Sequence, residues 1–142
     1  SIGGLQAPHN VVVVERGAEA TVYTGCTIAP EAFGLHIGIS EFYVEEGATL
    51  RFVMVHSWNR VTHVRPRTAV LVKPGGTYIS YYVNIGRLKS LQTYPITYLY
   101  DRAYTYLASV VLGLEDADID LSLIHIGRES RDSLEIACQR QL

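Results

Sequence analysis

Cysteine is scarce in this chain, and the motifs that depend on it are missing too. Two cysteines in 142 residues, Cys26 and Cys138, are too few for a disulfide framework. One bridge between them is the most that can form, and a reducing cytoplasmic setting is the simpler expectation. Neither belongs to a Cys-x-x-Cys pair. The five histidines, His9, His36, His56, His63 and His125, form no His-x-His or His-x-x-x-His, so the usual zinc motifs are excluded. An excess of charge of one sign is also lacking: the formal net charge is -2. The densest basic group, Arg60, Arg65 and Arg67, lies among Thr, His and Val and never forms a run, which argues against nucleic-acid binding. No apolar stretch is long enough to span a bilayer, and no charged-then-apolar leader opens the chain, so no membrane association is expected. The chain opens on Ser1 rather than Met, as a processed product or an internal stretch of a longer protein does. Nucleotide cradles are absent as well. Gly75-Gly76 has no lysine and no helix behind it, and "GRLKS" (86 to 90) has a single glycine. There is no Gly-x-Ser-x-Gly elbow, and Ser57 beside His56 stands alone.

What the chain does have is β-branched and aromatic residues in alternating runs cut by short turns. At 142 residues and 48% hydrophobic it can bury one core, so a single domain is expected. "VVVVERGAEATVY" (11 to 23), "EFYVEEGATLRFVMV" (41 to 55) and "AVLVKPGGTYISYYV" (69 to 83) share one layout of strand, charged or proline-bearing pair, glycine and strand. "TYLYDRAYTYLASVV" (97 to 111) is a weaker copy with Arg102 at the glycine position, and "LIHIGRESRDSLEIA" (123 to 137) the weakest. Aligned on Gly17, Gly47, Gly75, Arg102 and Glu129, the steps are 30, 28, 27 and 27 residues. One such unit cannot cover its own apolar face, whereas a stack of them makes a continuous core, so the spacing predicts a β-solenoid. A sandwich or barrel would give similar local patterns; the preserved step favours the solenoid. Helix is expected at most as one turn over 30 to 34.

Candidate chemistry begins with Cys26 in "TGCTIAP". Gly25 permits a tight corner and Pro30 ends regular structure soon after. A thiol in such a corner can be reached by ligands and by N–H donors; it can equally be a small buried hydrophobe. Spacing leaves both open. His36 in "GLHIGISEFYVEEG" resembles the metal strand of a cupin, and His56 and His63 flank "SWNRVT", where the two rings can approach. A cupin-like site made of His36, His56 and His63 is opposed by the absence of the paired-histidine strand. Asp116, Asp118 and Asp120 alternate with apolar residues, as on a solvated strand edge that discourages aggregation. Tyr94, Tyr98, Tyr100, Tyr104 and Tyr106 read as ladder packing, since no basic residues accompany them to bind bases.

Three blocks carry a more specific signal. "GCTIAP", then "LHIGISEFYVEEGATLRFVMVHSW", then "GGTYISYYVNIGRLKSLQTYPITYL" resemble, in order from about His9 to Leu121, the SufB/SufD family of iron–sulfur cluster assembly scaffolds. Ile28 is inserted in the first block, and His56-Ser57 replaces the family's usual polar pair before Trp58. The resemblance implies an all-β chain whose core, residues 1–121, is a right-handed parallel β-helix. Residues 122–142 form a divergent tail or a last coil. It implies a non-catalytic, cytoplasmic scaffold of the SUF system, pairing with a SufB/SufD-like partner or with itself. It implies a SufC-like ABC ATPase as a further partner, whose helical docking segment is not in this span. Cys26 carries over as the sulfur-handling candidate, through a persulfide or a transient iron–sulfur cluster that is not stably kept, with His36 a weaker second. Cys138 lies in the divergent tail and is given no role. The alternative from another class is a dimerising structural solenoid without metal chemistry.

Overall fold

The computed structural model describes residues 2–29, 31–112, 116–128 and 134–140. Three strands make each coil. The first holds β1 (Ile2–Gln6), β2 (His9–Val14) and β3 (Glu19–Thr27); the second β4 (Ala32–His36), β5 (Ile39–Val44) and β6 (Thr49–Ser57). The third holds β7 (Thr62–Val64), β8 (Arg67–Val72) and β9 (Thr77–Asn84); the fourth β10 (Ser90–Thr93), β11 (Ile96–Leu99) and β12 (Tyr104–Val111). Corresponding strands of successive coils pair in parallel, which builds three faces: β1-β4-β7-β10, β2-β5-β8-β11 and β3-β6-β9-β12. The protein is an all-strand β-solenoid of about four turns forming a single domain, with no helix among the described residues. β13 (Asp118–Arg128) then runs straight along two faces, pairing β10 through Ser90–Asp118 and β11 through Ile96–Ile124, and β14 (Leu134–Arg140) returns antiparallel beside it. The tail at 122–142 thus supplies the second half of β13 and the antiparallel β14.

The ladder pairs reproduce the sequence step. Glu19 pairs with Thr49, Thr49 with Thr77 and Thr77 with Tyr104, offsets of 30, 28 and 27 residues. The turns explain why. Gly17, Gly47 and Gly75 stand at φ of 68°, 63° and 67°, and Arg102 at 56°, in the left-handed region that favours glycine. Each glycine amide donates to the turn of the next coil: Gly17 to Glu46 O, Gly47 to Pro74 O and Gly75 to Asp101 O. Glu129 lies outside the described residues. Of the helical turn expected over 30–34, Pro30 lies outside the described residues, and residues 31–34 form no helix. Ala32 N–H donates to Ala29 O at 3.0 Å, and the chain enters β4 at once.

Alternation sends Val14, Phe42, Val44, Leu50, Phe52, Val70, Val72 and Tyr78 inward to one apolar core between the second and third faces. Phe42 contacts Phe52 and Tyr78 at ring separations of 4.6 and 5.9 Å. Burying a side chain of that size is worth about 2–3 kcal/mol. A second cluster, Trp58, Val64, Leu88 and Leu91, fills the corner between the third face and the first, with Cys26, Ile28 and Tyr82 packed against it. That corner holds the candidate site. Outward residues behave as scaffold. Tyr81 and Tyr106 stack edge to face at 6.1 Å, and the Arg67 guanidinium lies 4.9 Å from the Tyr94 ring centroid. Ile119 and Leu121 pack inward on β13, while Asp118 is exposed and Asp120 accepts a hydrogen bond from the Tyr94 hydroxyl. Asp116 is in a turn, at φ 65°.

Candidate metal centre

The solenoid step decides which distant residues meet. Cys26 on β3 is the ladder partner of His56 on β6, and His56 in turn of Asn84 on β9. On the first face Gln6 of β1 is the ladder partner of His36 on β4. These two inward rows converge at the same corner. The Cys26 sulfur and one nitrogen from each of His36 and His56 lie within 4.8 Å of one another. Both rings are deeply buried, His36 at 4% exposure and His56 at 1%. Trp58 closes the site as a wall, 4.7 Å from the His36 ring and 5.0 Å from His56.

The corner is fixed by Asn59. Its side-chain amide donates to Ala29 O and Ala32 O in the coil before, and its carbonyl accepts from the Thr62 hydroxyl in the strand after. Gly86 passes against the backbone of Trp58, where a Cβ would come within 2.1 Å of the Trp58 main-chain nitrogen. A side chain there would push the wall of the site aside. Gly38 leaves space beside His36, since a Cβ would lie 3.1 Å from Nε2.

Each ring is held by one nitrogen. His36 Nδ1 donates to Gln6 Oε1 at 2.8 Å, which leaves the Nε2 lone pair free. His56 Nδ1 lies 3.0 Å from the Tyr82 hydroxyl, and its Nε2 is buried with no hydrogen-bond partner. An orphaned buried polar atom costs about 1–3 kcal/mol. Burial pushes the Cys26 thiol up and holds His36 below its ordinary range. His56 is pushed down to about 4, by burial first and then by His36, whose charge would repel a second imidazolium. Burial, with Cys26 nearby, keeps Tyr82 protonated well above its ordinary range. The metal-free corner is therefore neutral at pH 7: two imidazoles with nothing to displace and a thiol that must give up its proton to bind a cation.

Of the residues singled out in the sequence, Cys26, His36 and His56 are brought together. His63 is not. It lies on the outward side of β7, between the inward Thr62 and Val64, and bonds Ser90 Oγ at 2.8 Å. The cupin-like trio of His36, His56 and His63 therefore does not assemble. Ser57 takes the alternate side of β6 from His56, so the two form no nucleophile–base pair. His9 pairs with Glu41 at the surface, and His125 lies on β13 outside the cluster. Cys26 is a free thiol; the Cys138 side chain lies outside the described residues. Reading by motif missed the grouping of His56 with Cys26, and the supporting Gln6 and Tyr82. The signal was available: Cys26 to His56 and Gln6 to His36 are each 30 residues, the step from Gly17 to Gly47.

No helix of the described residues is long and apolar enough to cross a membrane. Residues 1–136 match the family model described as SUF system FeS cluster assembly, SufBD core domain. The chain is 45% identical over 115 residues to an iron–sulfur cluster assembly SufBD family protein of Archaeoglobus fulgidus, covering 81% of this chain and 31% of the relative. It is 36% identical over 119 residues to one of Methanothermobacter thermautotrophicus and 33% over 118 to one of Pyrococcus horikoshii. These alignments cover 82% of this chain and 29% and 26% of the relatives, so the chain spans less than a third of the length of each of these proteins. No solved structure matches it significantly. The motif blocks, the parallel solenoid and the family match agree: the chain belongs to the SufBD family of iron–sulfur cluster assembly, as its core domain.

Proposed function

We propose that this β-solenoid is the core of a non-catalytic, cytoplasmic scaffold on which iron and sulfide are brought together into a cluster that is then passed on. One observation carries the reading: in a SufBD core domain, Cys26 places its sulfur beside two buried imidazoles at a single interior corner. Thiolate sulfur and imidazole nitrogen both suit iron in iron–sulfur chemistry. The cluster is cargo in this reading, because the corner offers one thiolate where a stably held cluster ordinarily takes four. A SufC-like ABC ATPase drives the cycle in this reading, and a SufB/SufD-like partner or a second copy of the protein pairs with the solenoid. The resemblance of the three motif blocks to SufB and SufD supports both partners.

The test is anaerobic reconstitution with ferrous iron and sulfide, reading bound iron, acid-labile sulfide and sulfur-to-iron charge-transfer absorption. Wild type is expected to develop the absorption and Cys26→Ala to lose it. Equal signal in both proteins would take the chemistry away from this corner.

A further inference from the structure

The corner is built as a cation site before any sulfur arrives. We propose that Cys26, His36 and His56 form a three-ligand site for one divalent first-row transition cation, loaded without sulfide, whose fourth position stays open. The cation site stands on geometry alone. Its role as the place where iron is received rests on the assembly reading above.

Three features point to a ligand rather than to packing. His56 is 1% exposed, and its Nε2 has no partner inside the protein, so the ring is held in place with a vacant nitrogen. The opposite nitrogen of each ring is anchored, His36 by Gln6 Oε1 and His56 by the Tyr82 hydroxyl. This is the outer-shell arrangement that orients metal-binding histidines. The tyrosine oxygen can donate to Nδ1 or accept from it; with a cation on Nε2 it accepts. Finally, the donor atoms are already grouped within 4.8 Å. A tetrahedral site with bonds of 2.0–2.3 Å needs ligand atoms about 3.3–3.6 Å apart, so a contraction of roughly 1 Å closes it. One sulfur and two nitrogens suit ferrous iron, cobalt and zinc better than magnesium or calcium, which prefer oxygen. On binding, the Cys26 S–H bond gives its proton to solvent and a sulfur–metal bond forms. Both rings donate lone pairs and nothing is oxidised. Three protein ligands leave room for a fourth, held by water until a sulfur anion replaces it.

The test is an anaerobic, sulfide-free titration of the 142-residue chain with cobalt(II), followed by thiolate-to-cobalt charge-transfer and ligand-field absorption. One equivalent is expected to bind, with ligand-field bands of four-coordinate intensity. Cys26→Ala removes the charge-transfer band, and His56→Gln weakens binding at least tenfold. Tyr82→Phe keeps the ring and removes only the hydroxyl, and it weakens binding about tenfold with unchanged circular dichroism. No uptake, or uptake indifferent to Cys26→Ala and His56→Gln, would overturn the site. The two proposals fail separately. Cluster formation without cobalt binding removes the cation site and leaves the scaffold. Cobalt binding without cluster formation keeps the site and removes the scaffold reading.

Discussion

The same corner of the solenoid is filled in two ways at two heights. In the first two coils its rows hold Gln6 and His36 on one face and Cys26 and His56 on the other. In the next two coils the corresponding positions are Val64 and Leu91, and Asn84 and Val111. Val64 and Leu91 are almost fully buried, so aliphatic side chains satisfy the geometry of this corner. The fold therefore does not require a thiol and two imidazoles there. Their cost is visible in an unpartnered His56 nitrogen. Asn84 marks the boundary, with its amide bonded to Gly86 O and its carbonyl unpartnered. Polar residues held where apolar ones would pack are the signature of a site that trades stability for binding.

Breaking the apolar level should cost the most. Leu91→Ala removes a side chain that is 1% exposed and is expected to lower unfolding free energy by about 2–5 kcal/mol. Chemical denaturation would measure the loss. A cost near zero would mean that the lower corner is not packed as described.

Acid should weaken the polar level next. The folded value of His56 near 4 lies below that of the unfolded chain, so below about pH 6.5 the unfolded state binds more protons. Stability is then full above pH 6.5 and declines as pH falls towards 4, by about 3 kcal/mol. His36 is lowered as well and adds in the same direction. Denaturation midpoints of the metal-free protein across that range would show the slope, and His56→Leu would flatten it.

That same variant sharpens the contrast with the smallest effect. His56→Leu copies the aliphatic level into the polar one and removes the orphaned nitrogen. At pH 7.5 its stability is expected to equal wild type or exceed it by about 1 kcal/mol, with cation binding lost. A destabilisation of several kcal/mol would make His56 a structural residue.

How much of this was legible in the sequence differs by level. The turn spacing of 30, 28 and 27, from Gly17 through Gly47 and Gly75 to Arg102, reappears residue for residue in the ladders, because a left-handed turn position tolerates few residues and must recur once per coil. The short strands of the first face were not legible. "AFGLH", "THV" and "SLQT" are too brief for alternation to stand out, and their pairing is set by neighbouring coils rather than by local preference. For the site, Cys26 and His36 stand out in the sequence as types able to hold a cation or sulfur. Nearness to His56 in sequence suggests grouping His63 with His36 and His56, whereas alternation on β7 turns it outward. Two residues 30 apart meet more closely in this fold than two that are seven apart, and only the repeat says so.

The most direct measurement is X-ray absorption at the metal edge of the anaerobically cobalt-loaded, sulfide-free chain. One sulfur near 2.3 Å and two imidazole nitrogens near 2.0–2.1 Å, roughly the distances of such bonds, are expected, with one lighter atom completing the shell. A shell of oxygen and nitrogen alone would contradict the placement of the cation at Cys26.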